Sequence, residues 1–227
     1  MRIVVVSDIH ANYEALKVLI PYFRSADKIL CLGDIIGYSC AVNECIGILR
    51  EFNCVCIQGN HERYLIEGTE KQTKYLNESV LFGIEYAKTH ITQHNFEWIK
   101  KLPLSVGVKE DGISILMTHG SPFDPTDAYV YTNNTDFSEW KFNYDYIFLG
   151  HTHREMSVKV NNKCLVFNPG SVGQARDREG VACAAILDTA KQDLIRIHEP
   201  YDYMKNLQLS RVNGAGEYVF KHYQTII

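Results

Sequence analysis

Short apolar runs, separated by amphipathic segments, dominate the first sixty residues. Runs over residues 2–6, 28–32 and 54–57 are short and continuous, which is typical of strands buried in a sheet. Apolar positions between these runs have helical spacing. We expect Asn12 to cap the first helix, which Pro21 shortens or kinks, and Asn43 to cap the second. Because helices alternate with strands here, the sequence predicts a parallel sheet at this end of the chain.

The pattern changes after residue 60. Residues 62–101 are polar with helical spacing, and the remainder is mostly strand, with apolar runs at 104–109, 113–117, 146–149, 156–160, 164–167, 181–187 and 194–198. Asn161-Asn162 is typical of a hairpin turn, and we expect the second half to be antiparallel. The predicted fold class is an α/β sandwich.

No repeat or linker divides the chain. We therefore treat residues 1–227 as one domain, with residues 62–101 as a helical insertion and residues 199–227 as a C-terminal extension. A chain of this length buries enough surface for a sizeable core without disulfides.

Charge and cysteine content narrow the class of protein. Lys and Arg number 23 against 27 Asp and Glu, a net charge of −4, so we expect no stable nucleic-acid binding. No apolar run approaches the roughly 18 residues of a membrane helix, so we expect no membrane partner. The seven cysteines include no C-x-x-C pair, and their odd number is typical of free thiols in a reducing cytoplasm. We therefore expect a cytoplasmic protein, and leave open whether it forms a homo-oligomer.

Residues able to bind a metal follow the carboxyl ends of five predicted strands. They are Asp8, His10, Asp34, Asn60, His61, His119, His151 and His153. Ligands of open α/β sheets gather at those strand ends, and the glycines beside nearly all of these residues permit tight turns. Without His61 these are seven ligands, two carboxylates, one amide and four imidazoles, which are too many for one zinc ion and suit two divalent cations. Two such cations with two aspartates leave a charge of about +2, which favours a phosphate ester as substrate.

These motifs resemble the calcineurin-like metallophosphoesterase superfamily. The matching motifs are Asp8-x-His10, Gly33-Asp34, Gly59-Asn60-His61-Glu62, His119 and Gly150-His151-Thr152-His153. Segments 7–12, 33–38 and 168–174 are similar to its small single-domain branch of bacterial and archaeal phosphodiesterases, and the resemblance covers residues 2–198. It implies two mixed β-sheets packed as a sandwich with helices on the outer faces, a four-layer αββα arrangement.

The resemblance also implies a role for each of these residues. Asp8, His10 and His153 hold one metal, Asn60, His119 and His151 hold the other, and Asp34 bridges the two. His61 is the catalytic residue that stabilises the phosphate and protonates the leaving group. Glu62 replaces the aspartate that is commoner after the catalytic histidine, and Ala11 stands where many relatives have glycine.

The resemblance implies that the protein is a phosphodiesterase, which would hydrolyse small phosphate esters by attack of a metal-bound hydroxide. We expect two divalent metal ions, Mn²⁺ first, with Ni²⁺, Fe and Zn²⁺ as alternatives that nitrogen and oxygen ligands do not separate.

Two other functions stay open. The same fold can serve as a catalytically silent scaffold or interaction protein. The same centre would also suit a nucleotide-specific phosphatase or a dinucleoside polyphosphate hydrolase, because the pocket walls fall in less familiar stretches at 62–101 and 121–140.

Three further features each have a functional and a structural interpretation. Tyr129 is a candidate to stack on a base or aryl group, with ordinary packing as the alternative. Arg176, with Arg178, is a candidate to contact a phosphate oxygen or a nucleotide, with a solvated charge as the alternative. His90 and His94 have the i, i+4 spacing of a helical zinc pair, but Thr92 between them is typical of a new helix start, which would separate them.

Overall fold

The computed structural model describes residues 1–69, 76–160 and 163–216, which form ten strands and seven helices. The strands are β1 (Arg2–Val6), β2 (Lys28–Cys31), β3 (Val55–Cys56), β4 (Ser105–Glu110), β5 (Ile113–Thr118), β6 (Tyr146–Phe148), β7 (Glu155–Val160), β8 (Cys164–Pro169), β9 (Val181–Asp188) and β10 (Asp193–Pro200). The helices are α1 (Tyr13–Lys17), α2 (Ile20–Arg24), α3 (Val42–Glu51), α4 (Asn60–Glu67), α5 (Glu78–His90), α6 (Gln93–Lys100) and α7 (Tyr203–Val212).

The strands form two mixed five-stranded sheets, as expected. The first has the order β10-β9-β1-β2-β3, and the second has the order β4-β5-β6-β8-β7. In the first sheet β1, β2 and β3 are parallel, which confirms the parallel sheet predicted from the alternation of strands and helices at the start of the sequence. The expectation of an antiparallel second half is wrong in part. Strands β5, β6 and β8 run parallel, because the chain returns to the same end of the sheet through residues 119–145 before β6 and through the antiparallel strand β7 before β8.

The core lies on both faces of the first sheet. In β1, Ile3 and Val5 point toward the second sheet, whereas Val4 and Val6 pack against the helices, and all four are fully buried. Successive side chains of a strand point to opposite faces, so a strand covered on both sides is a continuous apolar run.

The outer face of the second sheet is covered differently. Val130, Phe137 and Trp140 pack onto it from the connection between β5 and β6. Within residues 119–145, all of them described, this layer contains no helix. The helical fourth layer that the resemblance implies is therefore replaced here by irregular chain with aromatic side chains.

The helix ends test the two predicted caps, Asn12 and Asn43, and the predicted effect of Pro21. The Asn12 side chain accepts a hydrogen bond from the Ala15 N–H at 3.1 Å, which confirms it as the cap of α1, and Pro21 lies in the first turn of α2, where the chain has already broken. Asn43 does not cap α3, which begins after Ala41. Its side chain instead accepts from the Thr92 N–H at 3.0 Å and so joins α3 to the turn before α6.

Thr92 caps α6, so His90 and His94 lie on separate helices as expected. All seven cysteines are described and are free thiols. Among the described residues, no helix combines the length and the apolar character needed to cross a bilayer. The predicted Asn161-Asn162 turn, residues 70–75 of the helical insertion and residues 217–227 of the C-terminal extension lie outside the described residues.

Candidate metal centre

Side chains from both sheets converge at the carboxyl ends of the strands. One atom from each of Asp8, His10, Asp34 and His153 lies within 4.8 Å of the others, and the same is true of Asp34, His119 and His151. Asp34 belongs to both groups, and every one of these residues is buried. The structure thus brings together residues that are separated by up to 145 positions in the sequence.

Asp34 lies at the middle of the cluster. Its Oδ2 is 3.3 Å from His119 Nε2, 3.9 Å from His10 Nε2 and 3.8 Å from His61 Nε2. Its Oδ1 accepts a hydrogen bond from the His61 N–H at 2.9 Å. Asn60 completes this side, because its Oδ1 lies 3.1 Å from His119 Nε2. All the sequence-predicted ligands on this side are therefore neighbours.

Asp8 organises the opposite side of the cluster. Its Oδ1 is 3.4 Å from His153 Nε2, and His153 Nε2 lies 2.9 Å from His10 Nε2. The His151 N–H donates to both oxygens of the Asp8 carboxylate, at 3.1 and 3.2 Å. This contact joins the end of β1 to the loop after β6.

Backbone carbonyls orient three of the imidazoles. The Nδ1 atom of His119 lies 2.8 Å from the Leu32 carbonyl oxygen, and that of His153 lies 2.9 Å from the Gln174 carbonyl oxygen. His10 Nδ1 lies 3.2 Å from the Ile36 carbonyl oxygen. A carbonyl only accepts, so each Nδ1 carries a proton, and Nε2 is the nitrogen left on the cluster side to bind a metal in its deprotonated form. This is the arrangement that fixes histidine as a metal ligand.

His151 Nε2 supplies an independent sign of a missing partner. This atom is buried and has no hydrogen-bond partner among the described residues, and the same holds for Nδ1 of the neighbouring His61. Buried polar atoms without a partner are rare in native proteins. An imidazole nitrogen beside Asp34 and His119 suits a divalent cation, so the residues present fit a metal ion.

The backbone is left-handed at five of the candidate ligands. Asp8, His10, Asp34, His151 and His153 have φ between 52° and 65°. A residue other than glycine pays of order 1 kcal/mol for this conformation, and such residues concentrate at functional sites. Two glycines make room for the turns, since a Cβ on Gly59 would lie 2.7 Å from Asp34 N and one on Gly150 would lie 2.9 Å from Asp8 Oδ2.

Burial keeps most of the imidazoles neutral. It lowers the pKa of His10 and His153 well below the usual value, and it lowers the pKa of His151 to about 3. Burial likewise lowers the pKa of His61. Neutral imidazole is the form that donates a lone pair to a metal, so these side chains are ready to bind one.

Asp34 and His119 form the charged pair of the cluster. Burial raises the pKa of Asp34, but the charge of His119 and the hydrogen bond from it outweigh burial and hold that pKa well below the usual value. Burial lowers the pKa of His119, but Asp34 overrides it and raises the pKa to about 10. A cation bound between them would therefore displace a proton from His119.

Glu62 supports the cluster through the backbone around it. Sequence reasoning did not identify it as a functional residue and noted only that it replaces aspartate. Its carboxylate is fully buried and accepts hydrogen bonds from four backbone N–H groups. Those of Asp34, Ile35 and Gly59 are each 2.8 Å long, and that of Ile36 is 3.1 Å long. One side chain thus fixes the loop of Asp34 to the first turn of α4, which carries Asn60 and His61.

The two predicted substrate contacts both border the cluster. Tyr129 and Arg176 line a cavity of about 110 Å³ over the centre, together with His61 and Tyr38. The Tyr129 ring lies 3.9 Å from the His151 ring between centroids, and Tyr129 is 54% exposed. Arg178 does not face this cavity, because it pairs with Glu155 at 3.6 Å.

Comparisons with known proteins agree with this geometry. The calcineurin-like phosphoesterase superfamily domain matches residues 1–192. An uncharacterized protein of Methanocaldococcus jannaschii is 34% identical over 223 residues, which covers 89% of each chain.

Two solved structures share the fold. A metallophosphoesterase from Sphaerobacter thermophilus has a TM-score of 0.79 at 23% identity and covers 98% of each chain. A hypothetical protein from Pyrococcus horikoshii has a TM-score of 0.83 at 20% identity, covering 97% of this chain and 96% of its own. The family match spans the strands and loops that carry all eight clustered residues, from Asp8 to His153. This chain therefore belongs to the calcineurin-like phosphoesterase superfamily.

Proposed function

We propose that this protein is a phosphodiesterase that uses two divalent cations and acts on small phosphate esters. The observation that carries the proposal is the position of Asp34, whose carboxylate is shared by two separate groups of ligand atoms. One carboxylate between two such groups is the arrangement of a two-metal site. A single cation would leave one of the two groups without a purpose.

The ligands divide between the two positions. Asp8, His10 and His153 would hold one cation with Asp34, and Asn60, His119 and His151 would hold the other with Asp34. Because all the donors are nitrogen or oxygen, Mn²⁺ is our first assignment, and Ni²⁺, Fe and Zn²⁺ also suit such donors. Bound divalent cations would polarise the phosphoryl oxygens and promote loss of a proton from the attacking water.

His61 is the proposed proton donor. Its backbone N–H is held by Asp34, and its ring lies in the wall of the cavity over the centre. Burial lowers its pKa, and the negative charge of a bound phosphate ester would raise that pKa again. When water attacks phosphorus, the bond from phosphorus to the leaving oxygen breaks. His61 gives that oxygen a proton and regains one from the water.

Arg176 and Tyr129 are the proposed substrate contacts. Arg176 would bind a phosphoryl oxygen, since guanidinium matches the geometry of phosphate. Tyr129 and Arg176 both line the cavity and are both exposed, so the arms of a bound diester could reach solvent past these side chains. This is why we assign a diester before a monoester.

Hydrolysis of bis(p-nitrophenyl) phosphate with added Mn²⁺, compared with p-nitrophenyl phosphate, tests the activity, and metal analysis of the purified protein tests the centre. We expect two equivalents of metal, loss of activity on chelation and recovery with Mn²⁺. His61→Ala should keep its metal and lose about 10²-fold or more in kcat. Asp34→Ala should lose metal and activity together.

His90→Ala is the matched control, because His90 is an exposed histidine of α5 that stacks on Tyr86. It should retain metal and activity. Nearly full activity of His61→Ala would contradict the proton-donor role, and one equivalent of metal would contradict the shared Asp34. A protein that binds two metals and hydrolyses no ester would instead support the silent scaffold.

A nucleotide substrate is the second candidate. The exposed Tyr129 ring beside His151 would stack on a base, and base stacking on an aromatic ring is worth about 1–3 kcal/mol. Tyr129→Ala should then raise KM for nucleotide esters more than for bis(p-nitrophenyl) phosphate.

We place the protein in the cytoplasm, and its seven free thiols support that location.

A further inference from the structure

A second, larger cavity adjoins the one over the centre. Its volume is about 330 Å³, and it is lined by Arg154, Gln174 and Glu179. Tyr38 and Arg176 line both cavities, as does Asn77. A substrate bound at the centre could therefore extend past these shared side chains into the second cavity.

Two arginines give this cavity its character. Arg154 and Arg176 both line it, against the single carboxylate of Glu179. Within the described ranges, neither guanidinium forms an ion pair, whereas Arg63 pairs with Asp127 and Arg178 pairs with Glu155. Two unpaired guanidiniums beside one cavity leave a local positive charge that an anionic group would neutralise.

The walls of the cavity are fixed to the metal cluster. Arg154 directly follows His153, and the Arg176 N–H donates to the His153 carbonyl oxygen at 3.1 Å. The Gln174 carbonyl oxygen accepts from His153 Nδ1 at 2.9 Å. Both arginine backbones are thereby held at a set position relative to the candidate ligands, which preorganises them for a substrate that spans the two cavities.

We propose that this cavity is a subsite for a second phosphoryl group, so that the natural substrate is an ester with two phosphoryl groups. The ester bond of one phosphoryl group is hydrolysed at the candidate metal centre, and the other phosphoryl group is bound by Arg154 with Arg176. The identity of the substrate class rests on the proposed function. The chemistry points to phosphoryl because two guanidiniums present several donors that match its tetrahedral oxygens, and phosphoryl carries more charge than a carboxylate.

Two matched esters test the subsite. Thymidine 5′-(p-nitrophenyl phosphate) and its 3′-phosphorylated form release the same chromophore from the same scissile group, and they differ by one phosphoryl group. We expect the added group to raise kcat/KM by about tenfold or more, mainly through KM, and Arg154→Gln to remove that gain. Arg178→Gln is the control, since it removes the same charge outside the cavity, and it should keep the gain.

Binding keeps the test independent of turnover. Isothermal titration calorimetry with thymidine 3′,5′-bisphosphate and thymidine 5′-monophosphate should show about tenfold tighter binding of the bisphosphate, and Arg154→Gln should abolish the difference. If this difference holds while neither ester is hydrolysed, the subsite stands and the proposed activity fails. If both esters are hydrolysed equally well and the two nucleotides bind equally, the subsite is refuted and the proposed activity stands. An equal loss of the gain in Arg178→Gln would also refute it, because long-range charge would then explain the effect.

Discussion

Gly83 offers a sharp test of how the helical insertion positions the site. It is buried in α5, where the helix contacts the backbone of Gly37 and Tyr38. A Cβ added at Gly83 would lie 2.6 Å from the Gly37 carbonyl carbon and 2.7 Å from Tyr38 Cα, and nearer still to Tyr38 N. Tyr38 in turn packs against His61, with 5.1 Å between the ring centroids. Gly83→Ala therefore pushes on a loop that touches the proposed proton donor.

The expected loss of stability in Gly83→Ala follows from the overlap between the added Cβ and the backbone of Gly37 and Tyr38. Ordinary contacts begin at about 3.4 Å, so α5 or the loop must move by at least about 0.8 Å. Alanine gains about 0.5–1 kcal/mol over glycine in a helix, and overpacking costs about 1–3 kcal/mol. Gly47 in α3 provides the matched control, because it is exposed and a Cβ there would meet nothing within 4 Å.

We expect Gly47→Ala to raise the free energy of unfolding by about 0.5–1 kcal/mol. The free energy of unfolding of Gly83→Ala should be about 2 kcal/mol lower than that of Gly47→Ala. Urea denaturation of both variants measures the difference. Because a shift of about 1 Å at a catalytic group can cost about 10²-fold, Gly83→Ala should also lose kcat/KM with its metal content unchanged. If the two variants were equally stable and equally active, the contact between α5 and the loop would not position His61.

Three other changes test the support and the occupancy of the centre. Glu62→Gln leaves two of the four backbone N–H groups facing an amide NH₂, so thermal or urea unfolding should show a loss of about 2–4 kcal/mol. A loss below about 1 kcal/mol would contradict the role of Glu62 in holding the Asp34 loop. Mn²⁺ at a hundred times its Kd should stabilise the protein by about 2.7 kcal/mol, and differential scanning calorimetry of Asp34→Asn should show no such gain. Tyr22→Phe, far from the centre, removes the hydrogen bond to Glu199 and should leave that Mn²⁺ stabilisation intact in the same calorimetry. If Tyr22→Phe also abolished it, the stabilisation would not report on the Asp34 site.

The candidate ligands could be predicted from sequence because their signals are local. Asp8 and His10, like His151 and His153, lie directly after short apolar runs, and the ends of neighbouring strands meet in space. Ala11 has φ of 51°, which accounts physically for the glycine of many relatives at that position.

The errors arose where tertiary contacts decide. The hydrophobic pattern locates β5, β6 and β8 but carries no information on strand direction, so their parallel pairing could not be anticipated. Asn43 has the chemistry of a cap, but its partner is the backbone of Thr92, 49 residues away. No sequence pattern marks the carbonyl of Gln174 as the group that orients His153, because every residue has a carbonyl. Glu62 left a partial signal, as an acid at the third position of a helix, but three of its four partners lie on another segment.

The free-energy cost of the cluster separates a protein that binds metal from one that does not. Left-handed backbone at five ligands costs about 1 kcal/mol each, against a net stability of about 5–15 kcal/mol for a typical domain. The buried His151 Nε2, which has no hydrogen-bond partner in the part of the chain that the structure describes, adds a further penalty. A protein that bound no metal would gain stability if these residues were replaced by apolar ones in relaxed conformations, so the cluster works against folding unless something binds to it. A divalent cation that bonds to these atoms offsets the cost, and the unfolding free energy must then rise with its concentration. A stability that is indifferent to Mn²⁺, Ni²⁺, Fe²⁺ and Zn²⁺ alike would mean that the strain serves no metal.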